Sequence, residues 1–212
     1  MLFEELSVAV QRGRSDEVVS LIEKGIAEGE SAQDILNNGL LAGMNILGEK
    51  FKNHQAFVPE VLVAARALNN GTALLREQLI SEGVKSSGTV VLATVAGDLH
   101  DIGKNLVKMM LEGAGFEVID LGVDINTNRI VDAVIEHKPD ILALSALLTT
   151  TMGQLAIVME ALEEAGIRDS VKVMIGGAPV DADYRRKIGA DLYAADAAEA
   201  ATVAKEAVRK EG

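Results

Sequence analysis

The stretch "TVVLATVAGDLHDIGKN", residues 89–105, decides how the second half of the chain is read. Its first seven residues are an unbroken β-rich apolar run, the signature of a strand buried on both faces. A short polar loop carrying Asp98, His100 and Asp101 follows, and from Ile102 the apolar spacing becomes helical, with Gly103 near the start. The same grammar recurs downstream. "FEVIDL", "ILALSA", "VKVMIGG" and "DLYAAD" are four further candidate strands, and helical stretches are expected near residues 102–114, 127–137, 152–166, 182–188 and 197–209. Continuous apolar strands alternating with helices predict a parallel sheet of five strands, covered on both faces and joined by right-handed crossovers. Residues 88–212 therefore read as a doubly wound α/β domain.

Upstream the period is different. Val18, Leu21, Ile22 and Ile26, then Leu40, Met44, Leu47 and Phe51, then Val61, Leu62, Ala65, Leu68 and Leu75 recur at helical spacing, and a shorter helix is expected over Leu2 to Val10. Breaks fall at residues 12–16, 29–33 and 52–59, with Ser15 and Ser31 as expected N-caps. Residues 1–84 read as a four-helix bundle. The intervening "SEGVKSSG", residues 81–88, has linker composition.

Composition removes several function classes. The net charge of −12 is spread along the chain with no basic run, which speaks against nucleic acid or an anionic membrane as partner. There is no cysteine for a disulfide or a soft metal, and an aromatic content of 3% without tryptophan is poor material for a base-stacking platform. No apolar run approaches the roughly 20 residues of a membrane span, and no signal segment opens the chain, so a cytoplasmic location is expected.

In open parallel sheets ligands sit outside the carboxyl ends of the strands, at the switch in strand order. The polar residues that interrupt the apolar pattern fall there: Asp98, His100 and Gly103 after the first strand, Gly122, Val123 and Asp124 after the second, Ser145 and Thr149 to Thr151 after the third, Gly176 and Gly177 at the end of the fourth. Singly, each has an ordinary explanation. Asp98 or Asp101 could cap the next helix, His100 could be a solvated loop residue, and the glycines could serve turns.

Taken together they form a pattern. D-x-H-x-x-G (Asp98, His100, Gly103), S-x-L (Ser145, Leu147) and G-G (Gly176, Gly177) resemble the three-part signature of the cobalamin-binding domain, a Rossmann-like or flavodoxin-like fold. The segment "GLLAGMNILGEKFKNHQAFVPEVLVAARAL", residues 39–68, is similar to the helical cap that precedes this module in methionine synthase and in the corrinoid proteins of methanogens and acetogens. The resemblance covers nearly the whole chain.

The resemblance implies a cobalamin or related corrinoid, carried as methylcobalamin, with His100 as the lower axial ligand of cobalt. A corrin supplies four equatorial nitrogens, so one neutral imidazole completes the lower face. It further implies that Asp98 sets the basicity of that imidazole and that Thr151, where methionine synthase has serine, extends the relay, with Thr149 or Thr150 as competitors. Asp101, Ile102, Gly103, Ser145, Leu147, Thr149, Gly176 and Gly177 are expected around the cofactor, which sends its nucleotide tail into a slot beside the sheet. Phe51, Val58 and Val61 are expected to cap its upper face; ordinary bundle core is the alternative for each.

A chain of 212 residues has no space for the barrels that activate a methyl donor or present an acceptor. What it resembles is therefore a carrier. Its partners would be a donor-specific methyltransferase, a second methyltransferase acting on a thiol such as coenzyme M or on tetrahydrofolate, and a reductive activase. The B12 subunit of a mutase and a B12-dependent regulator are the alternatives, the latter lacking a basic DNA-binding domain here. The methyl donor, whether methanol, a methylamine, betaine or a methoxylated aromatic, is not readable from these residues.

Overall fold

The computed structural model describes residues 1–84 and 86–209; Lys85, inside the expected linker, lies outside the described residues, as do residues 210–212. Two units are distinguished, Met1–Ser86 with Glu112–Gly115, and Ser87–Leu111 with Phe116–Gly212.

In the first unit α1 (Leu2–Gln11) and α2 (Ser15–Ala27) are followed by a short α3 (Ala32–Asp34), which runs through a π-helical segment (Ile35–Leu41) into α4 (Ala42–Lys52); α5 (Val58–Ser81) completes it. Leu6, Val10, Val18, Ile22, Ile35, Leu40, Met44, Leu68 and Leu75 form its core. The π segment has no counterpart in the expected pattern, because a widened turn still presents Ile35 and Leu40 inward and leaves the apolar period nearly intact. Glycines let α1 lie against this stretch. A Cβ on Gly39 would strike Leu6, and one on Gly43 would come within 2.6 Å of the Ser7 carbonyl oxygen.

Ser31 accepts a hydrogen bond from the Asp34 amide at 3.0 Å and caps α3. Ser15 does not cap α2: it is the first helical residue, Arg14 holds the capping position, and Asp16 and Glu17 complement the helix dipole instead. A second anchor for α3 comes from far along the chain. The Glu82 carboxylate, just past α5, accepts from the amides of Ala32 and Gln33 at 2.9 and 3.0 Å. On α5 Val61 is fully buried and Val58 is exposed, while Phe51 is half-buried and Phe57 stands 68% exposed.

The second unit alternates β1 (Thr89–Val95), α6 (Ile102–Gly113), β2 (Glu117–Ile125), α7 (Thr127–His137), β3 (Ile141–Ser145), α8 (Gly153–Glu164), β4 (Lys172–Gly176), α9 (Ala182–Ile188), β5 (Leu192–Tyr193) and α10 (Ala197–Arg209). Among the described residues the five strands form one parallel sheet in the order β2-β1-β3-β4-β5. Val91, Ala93, Leu142, Leu144, Val173 and Ile175 pack on one face against Ile130 and Val134 of α7 and Leu155, Val158 and Leu162 of α8. The alternate residues Val90, Leu92, Ile141, Ala143 and Met174 are buried as well, which explains the unbroken apolar runs.

Two strands depart from expectation. β2 continues four residues past Leu121 to Ile125, so Gly122, Val123 and Asp124 lie within it and not after it. β5 is reduced to Leu192 and Tyr193, because the Asp191 carboxylate turns back to accept from the Val173 amide and from Arg168, both at 2.7 Å.

Gly43→Ala tests the close packing of α1. An alanine gains up to about 1 kcal/mol of helix preference, but its methyl would meet backbone that cannot rotate away, a clash of about 1–3 kcal/mol. The variant should lose about 1 kcal/mol of stability, measured by urea unfolding.

Candidate functional site

Because β1 feeds a helix leading toward β2 while β3 feeds one leading toward β4, the loops after β1 and β3 diverge and leave a crevice between them. The register brings Thr94 beside Ser145 and Ser145 beside Gly176, so these strand ends reach the same edge.

Asp98 bridges that crevice. Its side chain is completely buried, yet both oxygens are occupied. Oδ1 accepts from His100 Nδ1 at 2.7 Å and from the His100 amide at 3.1 Å. Oδ2 accepts from the Leu147 amide at 2.7 Å, the Leu148 amide at 3.3 Å and Thr151 Oγ1 at 2.7 Å. Burial pushes the carboxyl upward, but the bonds from Thr151, Leu147 and His100 outweigh it and hold Asp98 well below the ordinary carboxylate range. Asp98 is thus an anion that can only accept. It follows that Nδ1 of His100 carries a proton, so that the neutral tautomer is the one with its lone pair at Nε2.

The imidazole is about half exposed. It is held from behind by Asp98, while Thr94, buried at the end of β1, donates to the His100 carbonyl oxygen at 3.0 Å. The apolar residues of the two loops and of the start of α6 are unusually open: Leu99 and Ile102 are 72% and 78% exposed, and Leu147 and Leu148 are exposed too. Thr149 and Thr150 are also exposed, and the buried hydroxyl of this loop is that of Thr151. Ser145 is half-buried at the end of β3.

Asp101 does not reach the imidazole in this network; its carboxylate accepts from the Asn105 side-chain amide at 3.2 Å. The glycines separate into two kinds. Around Gly103 a Cβ would meet nothing within 4 Å, so its surroundings are open. Gly177 has φ +127°, and a Cβ there would overlap the Ala146 carbonyl oxygen, so the chain's own backbone already requires glycine. Gly176 would bring its Cβ to 3.1 Å from the Ala194 oxygen.

Lys104 had no place among the sequence candidates. It is 3% exposed in the first turn of α6 and donates to both oxygens of Asp120 on β2, at 2.7 Å each. Burial pushes the Asp120 carboxyl up, but the Lys104 bond, the Gly122 amide and the charges of Lys104 and Lys108 bring it below its usual value. The signal that could have found this pair was the single acid inside the apolar run "VIDL", which burial leaves in need of a cation or hydrogen-bond donors.

Two expectations follow. Gly103→Ala should leave the stability of the cofactor-free protein within about 0.5 kcal/mol, while Gly177→Ala should cost at least about 2 kcal/mol through strain and overlap, both read by urea unfolding. For Asp98, a depressed folded pKa means stability that is complete above the unfolded carboxyl value of about 4 and is lost as pH falls below it. Thr151→Val removes one donor to the buried anion and should cost about 2 kcal/mol at pH 7. The gap to the parent should narrow as pH falls below about 4.

Comparison with known proteins shows the family of the chain. Residues 88–204 match the B12 binding domain, and residues 2–76 match a second B12 binding domain model. The dimethylamine corrinoid protein of Methanosarcina barkeri is 44% identical over 207 residues, covering 97% of this chain and 96% of its own. Trimethylamine corrinoid protein 1 of Methanosarcina acetivorans is 46% identical over 173 residues, 81% of this chain and 80% of its own. The crystal structure of the methanol:cobalamin methyltransferase complex MtaBC from Methanosarcina barkeri contains a chain that superimposes with a TM-score of 0.89 at 31% identity, covering 98% of this chain and 80% of that one. A half-open imidazole held by a buried carboxylate thus sits on a chain that belongs to the B12-binding corrinoid proteins.

Proposed function

We propose that this protein carries a methyl group on a corrinoid whose cobalt is held from below by His100, receiving it from a donor-specific methyltransferase and delivering it through a second one. The observation that carries the reading is the state of the ring: Nδ1 is engaged by a buried anion, and Nε2 is the free lone pair of a half-exposed imidazole. Ligating histidines characteristically give their other N–H to a carboxylate, which fixes the tautomer and raises basicity.

The surroundings fit a corrinoid. Exposed Leu99, Ile102, Leu147 and Leu148 offer an apolar rim to a flat macrocycle, and open space at Gly103 leaves room for a tail beside α6. Among the described residues no group of three or more acidic or histidine side chains could hold a metal ion, so the remaining ligands would come from the ring. When bound, the corrinoid supplies a cobalt centre that takes up a methyl group in its reduced state and gives it to an acceptor. The chain's own part is to bind, orient and tune. Asp98 keeps the proton on Nδ1 and lends charge to the ring, Thr151 and the Leu147 amide keep Asp98 ionised, and Ser145, Gly176 and Gly177 line the tail's path.

Relatives named for dimethylamine and trimethylamine favour a methylated amine as donor. The donor-specific methyltransferase would enforce that choice, and a thiol or tetrahydrofolate would be the final acceptor. A reductive activase would restore the carrier after accidental oxidation.

His100→Ala tests the central claim. The variant should keep much of its corrinoid, because the tail retains its slot, and should lose the nitrogen hyperfine splitting in the electron paramagnetic resonance spectrum of the Co(II) form. Splitting that survives in His100→Ala and disappears in His54→Ala or His137→Ala would place the ligand elsewhere.

A further inference from the structure

Where β2 meets the loop after β1, the ladder is irregular. Leu92 pairs with Asp120 and Ala93 with Gly122, a first slip of one residue; Val95 then pairs with Ile125, so two steps along β1 face three along β2, a second slip. That extra residue is the mark of a β-bulge, and bulges re-aim backbone groups. Here Gly122 takes φ +97° and Asp124 φ +54°, a left-handed conformation that aspartate and asparagine tolerate better than most side chains.

The bulge redirects Asp124 toward the histidine loop. Its amide donates to the Asp98 carbonyl oxygen at 3.0 Å, and its carboxylate oxygen Oδ1 accepts from the Gly97 amide at 2.7 Å. Gly97 itself sits at φ +78°, so this loop turns sharply just before Asp98. The same strand end also holds the far side of the loop: Asp120 Oδ1 accepts from the Gly122 amide at 3.0 Å while gripping Lys104 of α6. Asp120 and Asp124 thus bracket residues 97–104.

Asp124 is exposed, and its carboxylate bonds to the Gly97 amide and not to the imidazole ring. An exposed acid in a left-handed bulge has no core to fill, so its short bond to the Gly97 amide is the contact that accounts for it. We propose that the Asp124 carboxylate is a positioning group for His100, latching the Gly97 amide so that the Asp98–His100 pair is presented at a fixed height and angle toward the cofactor. Its role toward the cofactor rests on the reading of His100 as axial ligand. Asp124 is a positioning residue, since it acts only through the backbone of Gly97 and Asp98.

Three substitutions separate the carboxylate from the backbone turn. Asp124→Asn keeps both an oxygen acceptor and tolerance of positive φ; Asp124→Gly keeps only the turn; Asp124→Ala keeps neither. In the cofactor-free protein, hydrogen exchange of the Gly97 amide should stay near the parent rate in Asp124→Asn and rise about tenfold in both Asp124→Gly and Asp124→Ala, as loss of the acceptor oxygen requires. In the corrinoid-loaded Co(II) form the nitrogen splitting should match the parent in Asp124→Asn and be broadened or reduced in Asp124→Gly. Parent-like exchange in Asp124→Gly would overturn the latch, since the turn alone would then suffice. Faster exchange with an unchanged nitrogen signal would also overturn the positioning role. If the parent itself lacks a nitrogen splitting, the axial reading fails and the positioning role with it, a result distinguishable from failure of the latch alone. Should Asp124→Ala not fold, the asparagine and glycine variants carry the comparison.

Discussion

A buried negative charge must be neutralised or hydrogen-bonded on every side, and the Asp98 carboxylate meets that demand with five donors drawn from two loops. Much follows from this one requirement. The loop after β3 is folded so that the Leu147 and Leu148 amides and the Thr151 hydroxyl converge on Oδ2, and the loop after β1 is folded so that His100 presents both its amide and its ring to Oδ1. Without the anion these donors would have no common target. With it, the two sides of the switch-point crevice are tied together and the imidazole tautomer is settled by charge alone.

Around this centre the molecule divides its labour between polar and apolar groups. Behind the ring stand groups that are buried and satisfied: Asp98, Thr94 and Thr151. In the same two loops, and at the start of α6, stand leucines and an isoleucine left open at a cost in solvation that a stable surface would ordinarily avoid. That contrast is what a site for a flat, largely apolar ring requires. The bulged end of β2 adds rigidity from a third direction, through Asp124 at the start of the histidine loop and the Lys104–Asp120 pair at its end.

The similarity to corrinoid proteins extends along both units, and each unit has its own family match. The chemistry is correspondingly spare. One imidazole and its supports are what the two loops hold in place at the sheet edge, in keeping with function residing in sites and not in folds.

Periodicity and short-range spacing were enough to read the parallel sheet, the helical first unit and the D-x-H-x-x-G, S-x-L and G-G pattern, because each is encoded by residues that are neighbours in the chain or one helical turn apart. Ser31 was legible as a cap for the same reason, whereas Ser15 showed that a correct residue type one position late caps nothing. What the sequence could not decide were meetings across the fold. Three threonines in a row are chemically equivalent until the turn after β3 buries one of them against Asp98; Gly177 and Gly103 look alike until Ala146 is found against the first and open space beside the second. Lys104 finds Asp120, and Asp124 finds Gly97, only because β2 lies next to β1 and its ladder slips twice between Asp120 and Ile125. Local pattern determined which groups would be present at the sheet edge; strand order and register, set by the burial of both sheet faces, decided which of them touch.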